Sequence, residues 1–169
     1  VLTPSDEGEA LGQGGDRERL EISSDQESLI DSVAASHDRV IVVLEGGSPI
    51  AGSWMNNVEA IVMAWYPGMD GGRAIADVLF GDAVPSGKLP LTFPKSLDQL
   101  PPFEDYNMTG RTYRYATAEP LYPFGFGLSY THFTYSNLAL DTPTIQAGES
   151  LSLRFTLTNS GSVEAEEVA

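Results

Sequence analysis

Cysteine is absent from this 169-residue chain, which excludes disulfides and thiolate-held metal while leaving the compartment undecided. Histidine is nearly as scarce. His37 and His132 are the two, far apart in sequence, and they give no support to a metal site built on imidazole pairs. Cations are few: 9 Lys and Arg stand against 24 Asp and Glu, a formal net charge of -15. Nucleic acid and anionic membrane are both held by clustered Lys and Arg, so neither is an expected partner. The charge itself reads as a device for solubility. No run approaches the ~20 apolar residues of a spanning helix and no secretory leader stands at the front, so the chain as given neither anchors nor exports itself. The length suffices for one domain, or one and a part, and opening at Val1 in mid-pattern gives the expectation of a fragment.

What is present centres on residues 40–90. Val40-Ile41-Val42-Val43-Leu44 is a β-branched apolar run that meets Gly46-Gly47-Ser48-Pro49, the pattern of a buried strand entering a tight turn. Ala60-Ile61-Val62-Met63-Ala64-Trp65 is a second such run, closed by Tyr66-Pro67-Gly68. Two buried strands separated by a short helix-compatible segment predict a parallel α/β unit. Gly71-Gly72 then opens a helix through Phe80, with Ile75, Ala76, Leu79 and Phe80 on its apolar face and Gly81 as its stop. Gly46-Gly47 carries no phosphate-cradle pattern, because neither Gly-x-Gly-x-x-Gly nor Gly-Lys-Ser/Thr follows it.

Residues 1–19 are polar, acidic and glycine-rich, which on composition alone describes a solvated surface loop. Leu20-Glu21-Ile22 is a short extended segment. Ser23-Ser24-Asp25 with Gln26-Glu27 has the chemistry of a helix cap, and Leu29, Ile30, Val33 and Ala34 repeat at helical spacing toward the sheet. His37 falls at the helix end, where a cation suits the dipole. Trp54 and Trp65 have two readings, as platforms for sugar rings or as buried contacts between sheet and helix, and their apolar surroundings favour burial. Residues 91–126 are rich in proline and aromatics, including Phe103, Tyr106, Tyr113, Tyr115 and Tyr122, which predicts an ordered wrapping loop held down by aromatic anchors. Arg111 and Arg114 in that loop read as salt-bridge formers toward the acidic surface, and Asn107-Met108-Thr109 is a glycosylation sequon in a eukaryotic secretory setting. After Tyr130, Phe133, Tyr135 and Leu138, then residues 151–159, alternate as half-buried antiparallel strands do, with turns at 146–149 and 159–161.

Three motifs in fixed order carry a family resemblance. Trp65-Tyr66-Pro67-Gly68-Met69-Asp70-Gly71-Gly72, Ala76-Asp77-Val78-Leu79-Phe80-Gly81-Asp82 and Pro85-Ser86-Gly87-Lys88-Leu89-Pro90 resemble the C-terminal α/β sandwich domain of family 3 glycoside hydrolases. Gly110-Arg111-Thr112-Tyr113-Arg114-Tyr115 and residues 122–130 are similar to that family's segment ahead of its fibronectin-III-like domain. The resemblance covers nearly the whole chain. It implies an α/β fold, with a mostly parallel sheet sandwiched by helices over residues 1–130. Residues 131–169 then begin a fibronectin-III-like domain, an incomplete β-sandwich, since closure takes about seven strands.

The same resemblance implies a function. The chain is expected to belong to a retaining β-glycosidase that removes terminal non-reducing β-D-glucosyl or β-D-xylosyl residues from oligosaccharides or aryl glycosides, with no cofactor and no metal. In that family the general acid/base glutamate lies in a loop as Gly-Glu-Gly or Gly-Glu-Ala ahead of an Asp-Arg pair. Gly8-Glu9-Ala10 and Asp16-Arg17 fit this form, over an interval longer than the family's shortest, so Glu9 is the expected acid/base and Glu7 the alternative. The family's nucleophile is an aspartate on an N-terminal (β/α)8 barrel absent from this chain, which makes that barrel the implied partner. Its compartment by resemblance is secreted or periplasmic, and residues 110–115 look more like the β-xylosidase branch. Without the family, the residues alone leave a second class open, a non-catalytic carbohydrate-binding or scaffold module.

Overall fold

The computed structural model describes residues 19–168. Its first element is helix α1 (Ser24–Ala34), and Ser23 sets the start. The Ser23 hydroxyl accepts from the Gln26 backbone N–H at 3.3 Å while the Gln26 side chain accepts from the Ser23 N–H at 3.3 Å, a reciprocal capping box. Asp25 and Glu27 in the first turn complement the positive end of the helix.

Strand β1 (Ile41–Glu45) follows and pairs in parallel with β2 (Ala60–Trp65), as the two apolar runs predict. Alternation along β1 points Val42 and Leu44 to one side, where they meet Ile22, Ile30, Ile50 and Trp54 in a buried cluster. The connection between the strands holds a 3-10 turn, Ser53–Asn56, in place of a full helix. Asn57 ties it to α1 by donating to the Asp31 carboxylate at 3.1 Å. At the strand ends the register slips, Glu45 facing Trp65 after Leu44 faces Met63, and Trp65 takes a φ of 55°.

The core stripe of α1 is narrower than its periodicity suggests. Ile30 is buried and Ala34 half-buried, but Leu29 and Val33 remain 61% and 38% exposed. Residues 29 and 33 lie a step of about 100° round the helix from 30 and 34, and a sheet two strands wide does not reach them. Helix α2 (Gly71–Phe80) shows a similar correction. Ile75, Ala76 and Leu79 are half-buried as expected, whereas Phe80 is 84% exposed in the last turn. Gly81 ends the helix at φ 86°, a left-handed position that glycine adopts without strain.

Beyond α2 the chain doubles back on itself. Residues 89–93 run against 121–126 through hydrogen bonds from Leu89 to the Phe126 carbonyl and from Gly125 to the Leu89 carbonyl, both 2.8 Å. Buried Phe93 meets Trp65 edge-on at 6.3 Å and Tyr122 at 6.1 Å, and Tyr122 stacks on Phe126 at 4.9 Å. Aromatic anchors thus hold part of this wrap, but not all the expected ones. Phe103 and Tyr106 stand 70% and 90% exposed, and residues 102–111 are held by Arg111 instead. A short helical turn, α3 (Thr112–Tyr115), follows.

Strands β3 (Phe133–Leu140) and β4 (Leu153–Asn159) form an antiparallel pair, the second sheet of the structure. The sequence places Tyr135 and Leu138 out of step by one residue. A bulge resolves this: Asn137 adopts φ 55° and donates to Thr156 Oγ1 at 3.2 Å, and pairing resumes with Ala139 opposite Arg154 and Leu140 opposite Leu153. Tyr135 faces Leu157 and lies 5.5 Å from the Phe155 ring. The fold class read from the sequence therefore holds, a parallel sheet with helices and a small antiparallel sheet after it.

Among the described residues, an ionic knot joins the two parts. Lys88 donates to the Gly127 carbonyl at 3.0 Å and pairs with Glu167 at 3.4 Å, with their side chains only 18% and 9% exposed. Glu167 also accepts from the Tyr135 hydroxyl at 3.3 Å, and burial together with that carboxylate pushes the Tyr135 phenol above its ordinary pKa. Gly127 is obligatory here, since a Cβ would collide with the Gly87 carbonyl. Two outcomes follow from these contacts. Ser23→Ala is expected to lower stability by about 1 kcal/mol in urea unfolding, through loss of the cap. Lys88→Met is expected to cost about 2 to 3 kcal/mol, and the double variant Lys88→Met/Glu167→Leu less than Lys88→Met alone, because the single change leaves a nearly buried carboxylate without its cation.

Candidate active site

Glu7 and Glu9, with the Asp16-Arg17 pair, lie outside the described residues. The structure gives the anchor from which their segment leaves. Only Glu18 and Arg19 separate Asp16-Arg17 from Leu20, which is 7% exposed, and Ile22 is 1% exposed within the core. The Leu20 carbonyl accepts from the Ala51 N–H at 3.2 Å. Ala51 belongs to the connection that leaves the carboxyl end of β1, so the strap 20–22 is fastened beside that end. In open parallel sheets this is the end at which ligands are bound.

The rim around the strand ends is built from tight contacts. Gly46 donates to the Trp65 carbonyl at 3.1 Å, closing the gap left by the register slip. The Tyr66 ring lies on Gly47, where a Cβ would come within 2.7 Å of Cε2, so a larger residue there has to push the ring aside. Tyr66 itself is 66% exposed, and Met69 at the tip of the next turn is fully exposed. Pro67 caps Gly71 in the same manner and turns the chain into α2. Gly46-Gly47 is thus a strand-to-turn junction, in agreement with the absence of a phosphate pattern. The Tyr66–Gly47 contact carries no single-sequence signal beyond a glycine in a turn.

The tryptophans divide. Trp54 is fully buried, its indole N–H without a partner among the described residues, and it cannot meet a ligand from outside. Trp65 is half-buried against Phe93. His37 is exposed past the end of α1. Among the described residues no cluster of three or more acidic or histidine side chains is arranged to hold a metal ion.

Arg111 and Arg114 do not bridge to acidic side chains within 4 Å among the described residues, contrary to the expectation from their sequence. Arg111 Nε donates to the Asn107 carbonyl at 3.2 Å, and Nη2 donates to the carbonyls of Pro102 and Asp105 at 3.0 and 2.6 Å. Backbone carbonyls aligned by the 102–107 loop outcompete distant carboxylates for the planar fork. Asp105 accepts from the Asn107 backbone N–H and side-chain amide, at 2.9 and 2.7 Å. These two bonds, with the Arg111 charge as a smaller contribution, hold its carboxyl below the ordinary aspartate pKa. Thr112, next to Arg111, takes φ 57°, an uncommon strain for a β-branched residue. Arg114 sits over the Tyr113 ring, 6.0 Å from its centre.

Residues 1–130 match the glycosyl hydrolase family 3 C-terminal domain. A xylan 1,4-beta-xylosidase of Xylanibacter ruminicola is 42% identical over 173 residues, covering 98% of this chain and 20% of that protein. A periplasmic beta-glucosidase of Salmonella typhimurium is 39% identical, covering 95% of this chain and 23% of its own length. Among solved structures, beta-glucosidase 3B from Thermotoga neapolitana superposes with a TM-score of 0.76 at 36% identity, over 88% of this chain and 23% of that one. The chain therefore spans about a fifth to a quarter of the length of the proteins it resembles. With a family match over more than three quarters of its length, in the order of motifs set out above, the chain belongs to the C-terminal domain family of the family 3 glycoside hydrolases.

Proposed function

We propose that this chain is the acid/base-bearing part of a retaining β-glycosidase acting on terminal non-reducing β-D-glucosyl or β-D-xylosyl residues. The observation that carries the proposal is the fastening of residues 20–22 at the carboxyl end of β1, directly after the segment with the Gly-Glu-Ala and Asp-Arg motifs. A glutamate held on a loop from that end can reach a sugar seated on a neighbouring body, and loop closure over the sugar raises its pKa into the range of a general acid. The names of the relatives, beta-xylosidase and beta-glucosidase, support the substrate class. The periplasmic relative supports a secreted or periplasmic setting.

The division of labour follows from double displacement. An aspartate of a (β/α)8 barrel attacks the anomeric carbon while Glu9 protonates the leaving oxygen, and Glu9 then takes a proton from the water that releases the sugar. Glu7 is the alternative carrier. Residues 1–130 form the α/β domain in this proposal, and residues 131–169 open a fibronectin-III-like domain whose first two strands are β3 and β4. No observation favours the scaffold reading over this one.

Two outcomes test the proposal. The purified 169-residue chain is expected to hydrolyse aryl β-glucosides and β-xylosides at background rate, because one carboxyl group without a nucleophile cannot complete the displacement. Turnover well above background, with contaminating enzyme excluded, contradicts the division between two bodies. In the full-length enzyme, Glu9→Gln is expected to slow natural glycosides about 100-fold or more, and to spare the first step on aryl glycosides with good leaving groups. Azide then restores turnover of those aryl glycosides. The same pattern from Glu7→Gln, and not Glu9→Gln, moves the assignment to Glu7.

A further inference from the structure

Of the five asparagines in the sequence, Asn107 alone has a hydroxyl residue two places on, Thr109, with methionine and not proline between them. The others are committed within the fold. Asn57 ties the 3-10 turn to α1, Asn137 makes the bulge of β3, and Asn159 joins Thr131 to the Val163 carbonyl. A bulky polar modification needs an acceptor at the surface, outside helix and strand. Asn107, Met108 and Thr109 are all exposed in irregular backbone that turns at Gly110, φ 78°.

The hydrogen bonds of the loop leave room for such a group. Asn107 Nδ2 carries two hydrogens, and one is donated to Asp105 Oδ1 at 2.7 Å. The Asn107 backbone N–H donates to the same oxygen at 2.9 Å. Attachment of a sugar replaces one Nδ2 hydrogen only, so the bond to Asp105 survives it. Arg111 fastens the loop through the backbone carbonyls of Asn107, Pro102 and Asp105, which makes the path of the chain independent of what Nδ2 carries. The bonds from Asn107 hold the Asp105 carboxyl below its ordinary pKa, so a negative charge stands two places ahead of the acceptor. That charge offers a cationic transferase a second point of recognition beside Thr109. Phe103 and Tyr106, 70% and 90% exposed in the same loop, are rings the fold leaves bare, and a hydrated oligosaccharide here shields them.

We propose that Asn107 is a site of N-linked glycosylation, its Nδ2 accepting an oligosaccharide from a lipid diphosphate donor. A bond forms between Nδ2 and C1 of the reducing-end sugar, the C1–O bond to the diphosphate breaks, the lipid diphosphate leaves and Nδ2 gives up one proton. The site rests on the secreted or periplasmic setting of the proposed function, and it involves neither Glu7 nor Glu9.

The test is mass spectrometry of the full-length enzyme recovered from its native host. Trypsin, cutting after Lys95 and Arg111, releases residues 96–111 with the acceptor inside. Expected is a glycopeptide whose fragmentation places the sugar on Asn107, with loss of the adduct in Asn107→Gln and in Thr109→Ala. Asp105→Asn separates the two sources of donor: loss of the adduct identifies a transferase that reads the carboxylate, and retention identifies one that reads the hydroxyl residue alone. An unmodified peptide from exported enzyme, or an adduct that survives Thr109→Ala, overturns the site and leaves the glycosidase reading standing. Enzyme confined to the cytoplasm overturns the site and the proposed setting together, so the two failures are distinguishable.

Discussion

The packing of Val42 and Leu44 against Ile30 of α1 is the constraint on which the rest of the chain depends. Two parallel strands have no stability in isolation, because each exposes a face that water penalises. Burying a branched aliphatic side chain contributes about 1.5–3 kcal/mol, so the few core residues of β1 and α1 hold the sheet together. Ile22 and Trp54, 1% and 0% exposed, close the ends of that cluster. Because Ile22 is part of it, the strap 20–22 is immobilised by the same contacts that form the sheet. The exit point of the segment that precedes Arg19 is thus set at least in part by core packing.

Outside that cluster the chain keeps much apolar surface uncovered. Leu29 and Val33 on α1, Ile41 on β1, Phe80 on α2 and the Tyr135, Leu140 and Leu153 face of the second sheet are all exposed. Large exposed apolar side chains, where they gather into patches, are a mark of contact with other protein. Under the proposed function, the barrel and the remaining strands of a sandwich supply that contact. The Lys88–Glu167 pair then fixes how the second sheet is presented to them, since its charges are sheltered and joined to the Tyr135 hydroxyl and the Gly127 carbonyl.

Elements governed by local chemistry are legible in the sequence. The β-branched runs become β1 and β2, Ser23 with Gln26 becomes a capping box, and Gly81 becomes a left-handed stop. Features that depend on what lies across the fold are not. Leu29 and Phe80 satisfy the helical period but point away from a sheet only two strands wide. The carbonyls that capture Arg111 are brought together by the path of residues 102–107, which periodicity does not describe. Asn137 is intermediate: the broken alternation between Tyr135 and Leu138 is visible in the letters, and the bulge that repairs it is visible only in the pairing. For the candidate site, the order of Gly8-Glu9-Ala10 and Asp16-Arg17 is legible by family resemblance alone, while its anchor at Leu20 and Ala51 comes from the structure.

The central claim is that a glutamate leaving from this anchor meets the nucleophile of a second body at the distance required for retention. It is tested most directly by the carboxyl-to-carboxyl separation in a crystal structure of the full-length enzyme with a sugar bound. The account predicts about 5–5.5 Å between Glu9, or its alternative Glu7, and the barrel aspartate on opposite sides of the anomeric carbon. A separation of about 6.5–9.5 Å, which leaves room for a water and inverts the configuration, contradicts it. So does a structure in which neither glutamate approaches the sugar.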